Sequence, residues 1–260
     1  MADVTHYVRF ERNGSTSFGE LEGETIHVIS GDLFGARERT GESVALADVK
    51  LRYPIEPPKV LCVGRNYASH VGDSPTPVRP EIFYKPPTAL QDPGGDIVLP
   101  PDSKDVHFEA ELVIVIGKEA RRVSEEDAAD YILGYTCGND VSERNWQGGS
   151  QGDKADVQWW RAKGSDTFGP FGPSIAVGLD VPNSRIQLRL NDEVKQTQML
   201  SDLIFGPEKI VSFVSQYVTL YQGDIIFTGT PGTTSAMKDG DVVEVEIDGI
   251  GVLRNNVVGG

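Results

Sequence analysis

Two glutamates stand at the head of the most apolar stretch of the chain. Glu109 and Glu111 are two positions apart and directly precede the apolar run 112–116. Because side chains two apart on a β-strand point to the same face, a strand here brings both carboxylates together. Buried like charges are costly unless a cation neutralises them, and no Lys or Arg occurs between Lys104 and Lys118. The spacing therefore indicates a metal site.

A third carboxylate comes from a distant segment. Asp140 follows the apolar residues 131–135, and a strand end there would direct its side chain towards the same point. Three carboxylate oxygens plus water suit octahedral Mg²⁺ or Mn²⁺. The same Glu-Ala-Glu spacing also fits an edge strand with a solvated face, so spacing alone leaves both interpretations open.

The elements that position these residues are mostly strands. Period-2 alternation and Gly, Pro or Asn boundaries predict an α+β, mostly β fold, with a small N-terminal β domain over 1–57 and a catalytic domain over 58–260. Strands are predicted at 5–10, 17–21, 25–28, 59–63, 97–99, 111–116, 186–190, 223–228 and 241–247. Helices are predicted at 124–133, where Ser124 and Asp127 form a capping pair, and at 207–217, which begins with Pro207.

Two polar stretches are predicted to be loops beside the site. The segment 67–81 carries Gly72 and three prolines in polar company, which favours a lid. The segment 148–156 is polar and glycine-containing between apolar flanks, which favours a mobile loop.

Charge and composition exclude several classes of protein. The formal net charge of −15 opposes binding to nucleic acid or to anionic membranes. The longest apolar run is too short to span a bilayer, so we expect no membrane association and a cytoplasmic location. Only two cysteines occur, Cys62 and Cys137, and they are predicted to be buried thiols.

Several short motifs occur in one order along the chain: Gly64-Arg65-Asn66-Tyr67-Ala68-Ser69-His70, Glu109-Ala110-Glu111, Asn139-Asp140, Ala162-Lys163-Gly164 and Thr228-Gly229-Thr230-Pro231. In this order they resemble the fumarylacetoacetate hydrolase family, and the similarity covers residues 58–258. The resemblance implies a mixed β-roll catalytic domain, a homodimer, and Mg²⁺ or Mn²⁺ held by Glu109, Glu111 and Asp140. It also implies that the substrates are 2-oxo or 1,3-dioxo acids.

The resemblance implies roles for three catalytic side chains. His70 would pair with the acidic residue three positions later and activate water as a general base. That position holds Asp73, where the family usually has Glu, so the hydrolytic dyad departs from the pattern. Lys163 follows an aromatic-rich segment and would stabilise a developing oxyanion or a substrate carboxylate.

Further polar residues are candidates for holding the substrate. Thr230 would bind a carboxylate, although the usual Gly-Val-Gly continuation is replaced by residues 232–235, Gly-Thr-Thr-Ser. Arg65, Tyr67, Arg144 and Gln147 complete the predicted substrate-binding set, while each arginine could equally form a structural ion pair. His107 lies two residues before Glu109, so on a strand its side chain would share the face of the two glutamates. Because hard Mg²⁺ prefers oxygen ligands, we expect His107 at most to hydrogen-bond to groups that hold the ligands.

Three functions remain open from the sequence. The first is a metal-dependent hydrolase that cleaves C–C bonds of acylpyruvate or fumarylacetoacetate-type acids and also decarboxylates oxaloacetate. The second is a 2-hydroxyhepta-2,4-diene-1,7-dioate isomerase or decarboxylase. The third is a non-catalytic metal-binding protein on the same fold, because a fold alone does not guarantee activity.

Overall fold

Strands dominate the computed structural model of the protein, which describes residues 4–149 and 154–260. In chain order the strands are Thr5–Arg12 (β1), Ser15–Glu22 (β2), Thr25–Gly31 (β3), Arg37–Ala45 (β4), Lys50–Arg52 (β5), Val60–Gly64 (β6), Glu81–Lys85 (β7), Leu90–Gln91 (β8), Asp96–Leu99 (β9), Val106–His107 (β10), Ala110–Ile116 (β11), Ile132–Asn139 (β12), Ser142–Glu143 (β13), Gly169–Val177 (β14), Arg185–Leu190 (β15), Glu193–Met199 (β16), Ile225–Phe227 (β17), Val242–Ile247 (β18) and Gly251–Gly259 (β19).

The helices are short. The α-helices are Ala68–Val71 (α1), Arg144–Gly148 (α2), Trp160–Gly164 (α3) and Pro207–Ser215 (α4), and single 3₁₀ turns occur at Leu46–Asp48, Pro87–Ala89, Ala128–Tyr131, Val157–Trp159, Val181–Asn183 and Leu200–Asp202. Within the ranges that the structure describes, none of the helices has the length and hydropathy needed to cross a membrane.

Two mixed sheets share a core. The larger has the order β4-β3-β2-β1-β14-β12-β11-β17-β6-β7, with β5 added to β1 and β8 to β14. The smaller has the order β16-β15-β18-β19-β9. Most pairs are antiparallel, whereas β17–β6, β14–β8 and β19–β9 are parallel. The predicted α+β, mostly β fold is confirmed.

The N-terminal strands continue the larger sheet. β1 pairs with β2 on one side and with β14 on the other, where Thr5 lies opposite Val177. Four buried side chains from β1, β3 and β4 form a small separate hydrophobic core: Val8, Phe10, Ile26 and Val44. The division of the chain at residue 57 stays a prediction.

One predicted helix is wrong. The segment 124–133 forms turns, the 3₁₀ helix Ala128–Tyr131 and then the start of β12. Ser124 does accept a hydrogen bond from the backbone N–H of Asp127, at 3.2 Å, as a cap would. However, Ile132 pairs with Ile116 of β11, so the sheet draws the end of the segment into extended structure. The second predicted helix is confirmed as α4.

Strand β11 runs through the centre of the larger sheet. All seven of its residues are buried, and β12 and β17 flank it. In a strand buried on both faces, the sequence is a continuous run of β-branched and other apolar residues rather than an alternation of apolar and polar residues. Val113 and Val115 pack into one hydrophobic cluster, and Ile114 and Ile116 pack into another on the opposite face. The start of this strand is therefore a rigid platform.

A buried lysine ties strand β7 to the segments around this platform. Lys85 has a fully buried ammonium that pairs with Asp140 at 2.6 Å. The same group donates hydrogen bonds to three backbone carbonyls, those of Val141, Lys163 and Phe168. Because these carbonyls belong to different elements, one side chain fixes the position of several chain segments.

We predict that Lys85→Met destabilises the protein by about 3–5 kcal/mol, because it removes one of the cations paired with the buried Asp140 and leaves buried backbone carbonyls without their donor. Urea unfolding of the purified variant measures this loss. The matched control is Lys209→Met, which breaks the exposed ion pair with Glu125 and should cost no more than about 1 kcal/mol. Equal losses in the two variants would show that the Lys85 network does not hold the fold.

Candidate active site

The strand ladder brings the three predicted carboxylates together. Ala110 lies opposite Asn139 in the β11–β12 pair, and the backbone N–H of Asp140 donates to the carbonyl of Glu109 at 2.9 Å, which extends the ladder by one residue. Side chains of directly opposed residues lie on the same face of an antiparallel pair, and Glu111 is two residues along on that face. One sheet face thus carries all three acids.

These acids are close and buried. One carboxylate oxygen from each of Glu109, Glu111 and Asp140 lies within 4.8 Å of the others. Their exposed fractions are 4%, 1% and 1%, so the interpretation as a solvated edge strand is wrong. Gly138 lies opposite Glu111 on this face. A Cβ at Gly138 would come within 2.5 Å of Phe227 and Val113, so the apolar side chains below the acids need this glycine.

Protein cations also reach the cluster, which the local sequence did not predict. Lys163 donates to Glu109 at 2.8 Å and to Asp140 at 2.6 Å, and Arg144 pairs with Glu109 at 2.5 Å. Lys85 adds its ion pair with Asp140. The expectation that only a metal could neutralise the acids, drawn from the lack of Lys and Arg between residues 104 and 118, is therefore wrong for two of the three carboxylates.

The third carboxylate has no such neighbour. Among the described residues, no Lys, Arg or His forms an ion pair with Glu111, whose Oε2 accepts a hydrogen bond from the backbone N–H of Gly229 at 2.7 Å. Burial, followed by the charges of Asp140 and Glu109, raises the pKa of Glu111 well above its ordinary value. A buried acid that is repelled by two others requires either a proton or a further cation.

Glu109 shows the opposite balance. Burial disfavours its charged form, but the Lys163 ammonium and the Arg144 guanidinium outweigh this and hold the pKa of Glu109 well below its ordinary value. Burial likewise opposes the charge of Lys163, yet the charges of Asp140 and Glu109 raise the pKa of that lysine. Glu109 is thus ionised in advance, and Glu111 becomes ionised when a cation arrives.

The donor set fits a hard divalent cation. The three acids offer only oxygen, the preference of Mg²⁺ and Mn²⁺, and no histidine or cysteine joins the group in the described part of the chain. A small cavity of about 40 Å³ lies beside them. All three acids line this cavity, so an ion bound there would be within their reach. Glu109, Glu111 and Asp140 are therefore the residues that could hold the metal.

The turn after β17 presents a hydroxyl to the cavity. Thr230 lines it, and its Oγ1 accepts a hydrogen bond from Gln196 at 2.9 Å, which leaves the hydroxyl proton free to donate. Gln196 also donates to the carbonyl of Pro231 and accepts from the N–H of Ala110 at 3.1 Å. This amide therefore locks the turn onto the start of β11.

Gly229 is needed in the same turn. Its φ is +101°, and a Cβ would come within 2.7 Å of Asn66. Only glycine adopts this conformation without strain, and it directs the Gly229 N–H at Glu111.

His70 lines the cavity with a defined tautomer. Its Nδ1 is 2.7 Å from the carbonyl oxygen of Gly232. Because a carbonyl only accepts, Nδ1 carries the proton and Nε2 keeps a lone pair. Helix α1 is further held by Ser69, whose Oγ accepts from the N–H of Gly232 at 3.0 Å.

Asp73 is exposed, and no hydrogen bond joins it to His70 in the described part of the chain. The carbonyl of Gly232 orients the His70 ring, a role that the resemblance to the family assigns to an acidic residue. The catalytic role of Asp73 stays a prediction, as does the lid role of segment 67–81.

The remaining predicted contacts differ in their surroundings. Arg65 and Gln147 line the cavity. Arg65 donates to the carbonyl of Pro75 at 2.7 Å, which ties it to segment 67–81, and Gln147 accepts from Arg144 at 2.7 Å. Tyr67 is only 1% exposed and is not among the residues that line the cavity, and its hydroxyl has no hydrogen-bond partner within residues 4–149 and 154–260. Burial, then the nearby Glu111, raises the pKa of Tyr67.

His107 supports a ligand indirectly, as expected. Its ring nitrogens contact Asp105 at 2.9 Å and Thr234 at 2.8 Å. Thr234 also accepts a hydrogen bond from Arg144, the residue that pairs with Glu109. The segment 232–235, which departs from the family pattern, thus takes part in positioning Arg144. Of the predicted loop 148–156, residues 150–153 lie outside the described residues.

Sequence reasoning missed three residues of the site. Lys85 had a signal, because it shares a strand face with the apolar Phe83, and a lysine there indicates a buried cation. Gln196 lies in a polar strand, Glu193–Met199, and carries no local signal. Trp159 lines the cavity from a turn with a left-handed backbone, which the sequence does not reveal.

Two family models match most of the chain. A family model described as "Fumarylacetoacetate (FAA) hydrolase C-terminal" matches residues 59–258, and one described as "Rv2993c-like, N-terminal" matches residues 5–54. Among curated relatives, the mitochondrial oxaloacetate tautomerase FAHD2A of Bos taurus is 41% identical over 214 residues, which cover 78% of this chain and 67% of that protein.

Solved structures extend the similarity to nearly the whole chain. The crystal structure of 2-hydroxyhepta-2,4-diene-1,7-dioate isomerase from Mycobacterium marinum is 42% identical with a TM-score of 0.88, and 98% of each chain is covered. Maleylpyruvate hydrolase from Sphingobium sp. SYK-6, solved with manganese(II) ion and pyruvate, is 29% identical with a TM-score of 0.80, covering 98% of this chain and 99% of that one. The chain belongs to the fumarylacetoacetate hydrolase family.

Proposed function

We propose that the protein is a divalent-metal-dependent enzyme that interconverts the keto and enol forms of a small 2-oxo dicarboxylic acid of the oxaloacetate type. The observation that carries this proposal is the buried acid cluster with a histidine at the edge of its cavity, whose free Nε2 is available to move one proton. Keto–enol exchange needs a Lewis acid and one acid–base group, and it needs no activated water.

The charges of the site favour a dianion. Glu109, Glu111 and Asp140 carry three negative charges when ionised, and Lys85, Lys163 and Arg144 carry three positive charges in contact with them. A bound divalent ion therefore leaves two positive charges in a largely dry pocket. Since Coulomb energies grow as the effective dielectric constant falls, a substrate with two carboxylates balances the site better than a neutral or singly charged one.

Glu109, Glu111 and Asp140 would hold a divalent ion that, when bound, would act as a Lewis acid on the 2-oxo group and make the C3 proton more acidic. His70 Nε2 accepts that proton, while Nδ1 keeps its bond to the Gly232 carbonyl, which stabilises the imidazolium that forms. The C3–H bonding pair becomes the C2–C3 double bond, and the π pair of the C2 carbonyl moves onto its oxygen. The imidazolium then returns its proton to that oxygen, so the reaction is an isomerisation that consumes no water or cosubstrate.

Two further residues hold the reacting atoms. Lys163 lines the cavity and is fixed by Glu109, Asp140 and Ser142, so its ammonium stabilises the charge that develops on the C2 oxygen. Thr230 donates its free hydroxyl proton to a substrate carboxylate. Both groups are set by the fold before the substrate arrives, which is the condition for electrostatic stabilisation to be effective.

The relatives support this choice. The oxaloacetate tautomerase and the dienedioate isomerase are both about 40% identical to the chain.

C–C bond hydrolysis of acylpyruvate-type acids is the second candidate, favoured by the maleylpyruvate hydrolase at 29% identity. Hydrolysis needs a water activated by His70 and an acid, and the exposed Asp73 makes no contact with His70. The proposal also includes a homodimer that binds no nucleic acid. The bound ion is proposed to be either Mg²⁺ or Mn²⁺.

We predict that Mn²⁺ and oxalate together raise the melting temperature by about 5–10 °C when each is near 100 times its Kd, because both bind only the folded state. Oxalate mimics the two oxygens of a 2-oxo acid that chelate the ion. The matched control is Glu111→Gln, a substitution of nearly equal shape that removes one ligand charge. An equal shift in this variant, or no shift in the wild type, would contradict the metal site.

We predict that His70→Asn lowers the rate of enol-to-keto conversion of oxaloacetate by about 10²–10⁴-fold, because the base is lost. Asparagine keeps a donor near the Gly232 carbonyl, so the fold and the Mn²⁺–oxalate shift should persist. Ultraviolet absorbance of the enol follows the reaction. A His70→Asn enzyme of wild-type rate would remove His70 from the mechanism.

Asp73→Asn separates the two candidate reactions. Because Asp73 is exposed and does not contact His70, we predict a change in tautomerisation of no more than about twofold. A large loss of acylpyruvate cleavage in the same variant, with cleavage the faster wild-type activity, would favour the hydrolase. Absence of both activities alongside a normal Mn²⁺–oxalate shift would favour the non-catalytic binding protein.

A further inference from the structure

A tryptophan separates the small metal cavity from a much larger groove. The groove has a volume of about 970 Å³, within the range of ligand pockets, whereas the metal cavity has about 40 Å³. Rings and other apolar groups form much of the groove wall: Ile82, Phe83, Tyr84, Pro86 and Trp160. Among the described residues, Trp159 alone lines both spaces.

The indole of Trp159 lies against the strands that border both spaces. Its six-membered ring comes within 3.9–4.0 Å of the point where a Cβ on Gly64, a cavity-lining residue of β6, would lie. On β7, the ring centroid of Phe83 is 5.3 Å from the indole in an edge-on arrangement. Lys163 in turn lies 5.1 Å above the Phe83 ring. The indole therefore packs against β6 and β7 where the metal cavity and the groove adjoin it.

The backbone that carries this indole is held in a strained conformation. Gln158 and Trp159 have φ values of 59° and 54°, and neither is glycine. Two consecutive non-glycine residues in the left-handed region are unfavourable and persist only where the surroundings fix them.

Asp156 fixes this turn from both sides. Its Oδ2 accepts hydrogen bonds from the N–H groups of Arg161 and Ala162, at 3.0 and 2.8 Å, and its own N–H donates to the carbonyl of Trp146. Arg161 also lies over the Trp146 ring at 4.3 Å. The chain is thus anchored before and after the turn, and the strained pair directs one ring inward.

We propose that Trp159 is a specificity-determining residue that blocks the substrate from extending into the groove. On the proposed function, on which this inference rests, the head of a 2-oxo acid occupies the metal cavity. A tail longer than a carboxymethyl group meets the indole, and the hydrogen bonds of Asp156 hold the backbone that carries it. The groove is the space into which an apolar tail would extend once the ring is removed.

Two ligands that differ only in their tail test this inference. Oxamate is an oxalate-like head without a tail, and N-phenyl oxamate carries an aromatic one. In the presence of Mn²⁺, wild-type protein should bind oxamate more tightly by calorimetry. Trp159→Ala should improve the affinity for N-phenyl oxamate relative to oxamate by at least about tenfold, the range over which pocket shape discriminates. The same ratio should appear in kcat/KM for 2-oxo acids with and without a phenyl tail.

Trp160→Ala is the matched control. Trp160 is 68% exposed and lines the groove but not the metal cavity, so this variant alone should leave the oxamate ratio unchanged. In the double variant, the gain from Trp159→Ala should shrink, because the phenyl tail loses a wall of the groove. That result would show that the tail enters the groove rather than the space left by the indole.

The outcomes distinguish the proposed role of Trp159 from the proposed function of the protein. If Trp159→Ala binds oxamate normally but gains nothing for N-phenyl oxamate, the gate is refuted and the proposed function stands. If wild-type protein binds neither ligand with Mn²⁺, the proposed function itself fails. A thermal melt of each variant without ligand checks that the substitution leaves the fold intact.

Discussion

Three carboxylates meet in the interior of this protein, and their mutual repulsion is the constraint that the surrounding structure has to satisfy. At separations of 4–5 Å and an effective dielectric constant of about 20, each pair of charges repels by about 3–4 kcal/mol. Lys163, Arg144 and Lys85 compensate Glu109 and Asp140. Glu111 is left with a backbone N–H, so the cluster is complete only with one more positive charge or a proton.

The residues around this cluster are of two kinds: those fixed by the sheet, and those joined to a turn by hydrogen bonds. The acids project from the ends of two buried, paired strands, so their spacing is a property of the sheet. Gln196 and Gly229 hold the Thr230 turn against the same strands. The acid–base group is different, because His70 belongs to a four-residue helix that is joined to the turn by hydrogen bonds at Gly232. This helix carries none of the three acids.

Much of this arrangement was predictable from the sequence, and the exceptions have a common cause. The convergence of Glu109 and Glu111 followed from a period of two on a strand, which is local information. Asp140 comes from a distant segment and was assigned from the apolar run before it and from the family resemblance. The compensating cations come from residues 85, 144 and 163, and only the sheet order places them beside residues 109 and 140. The helix expected at 124–133 failed because pairing of Ile132 with Ile116 overrode a correct capping signal at Ser124. Trp159 was missed because its left-handed backbone is fixed by Asp156 and the chain around it.

The most direct test of the central claim is anomalous X-ray diffraction from crystals soaked in Mn²⁺. We predict a single strong peak in the acid cluster, within ordinary coordination distance of carboxylate oxygens from Glu109, Glu111 and Asp140. A crystal of the Glu111→Gln variant should show a much weaker peak under the same soak. Full-strength peaks elsewhere, with the Lys163 ammonium still between Glu109 and Asp140 and no density between the acids, would contradict the account.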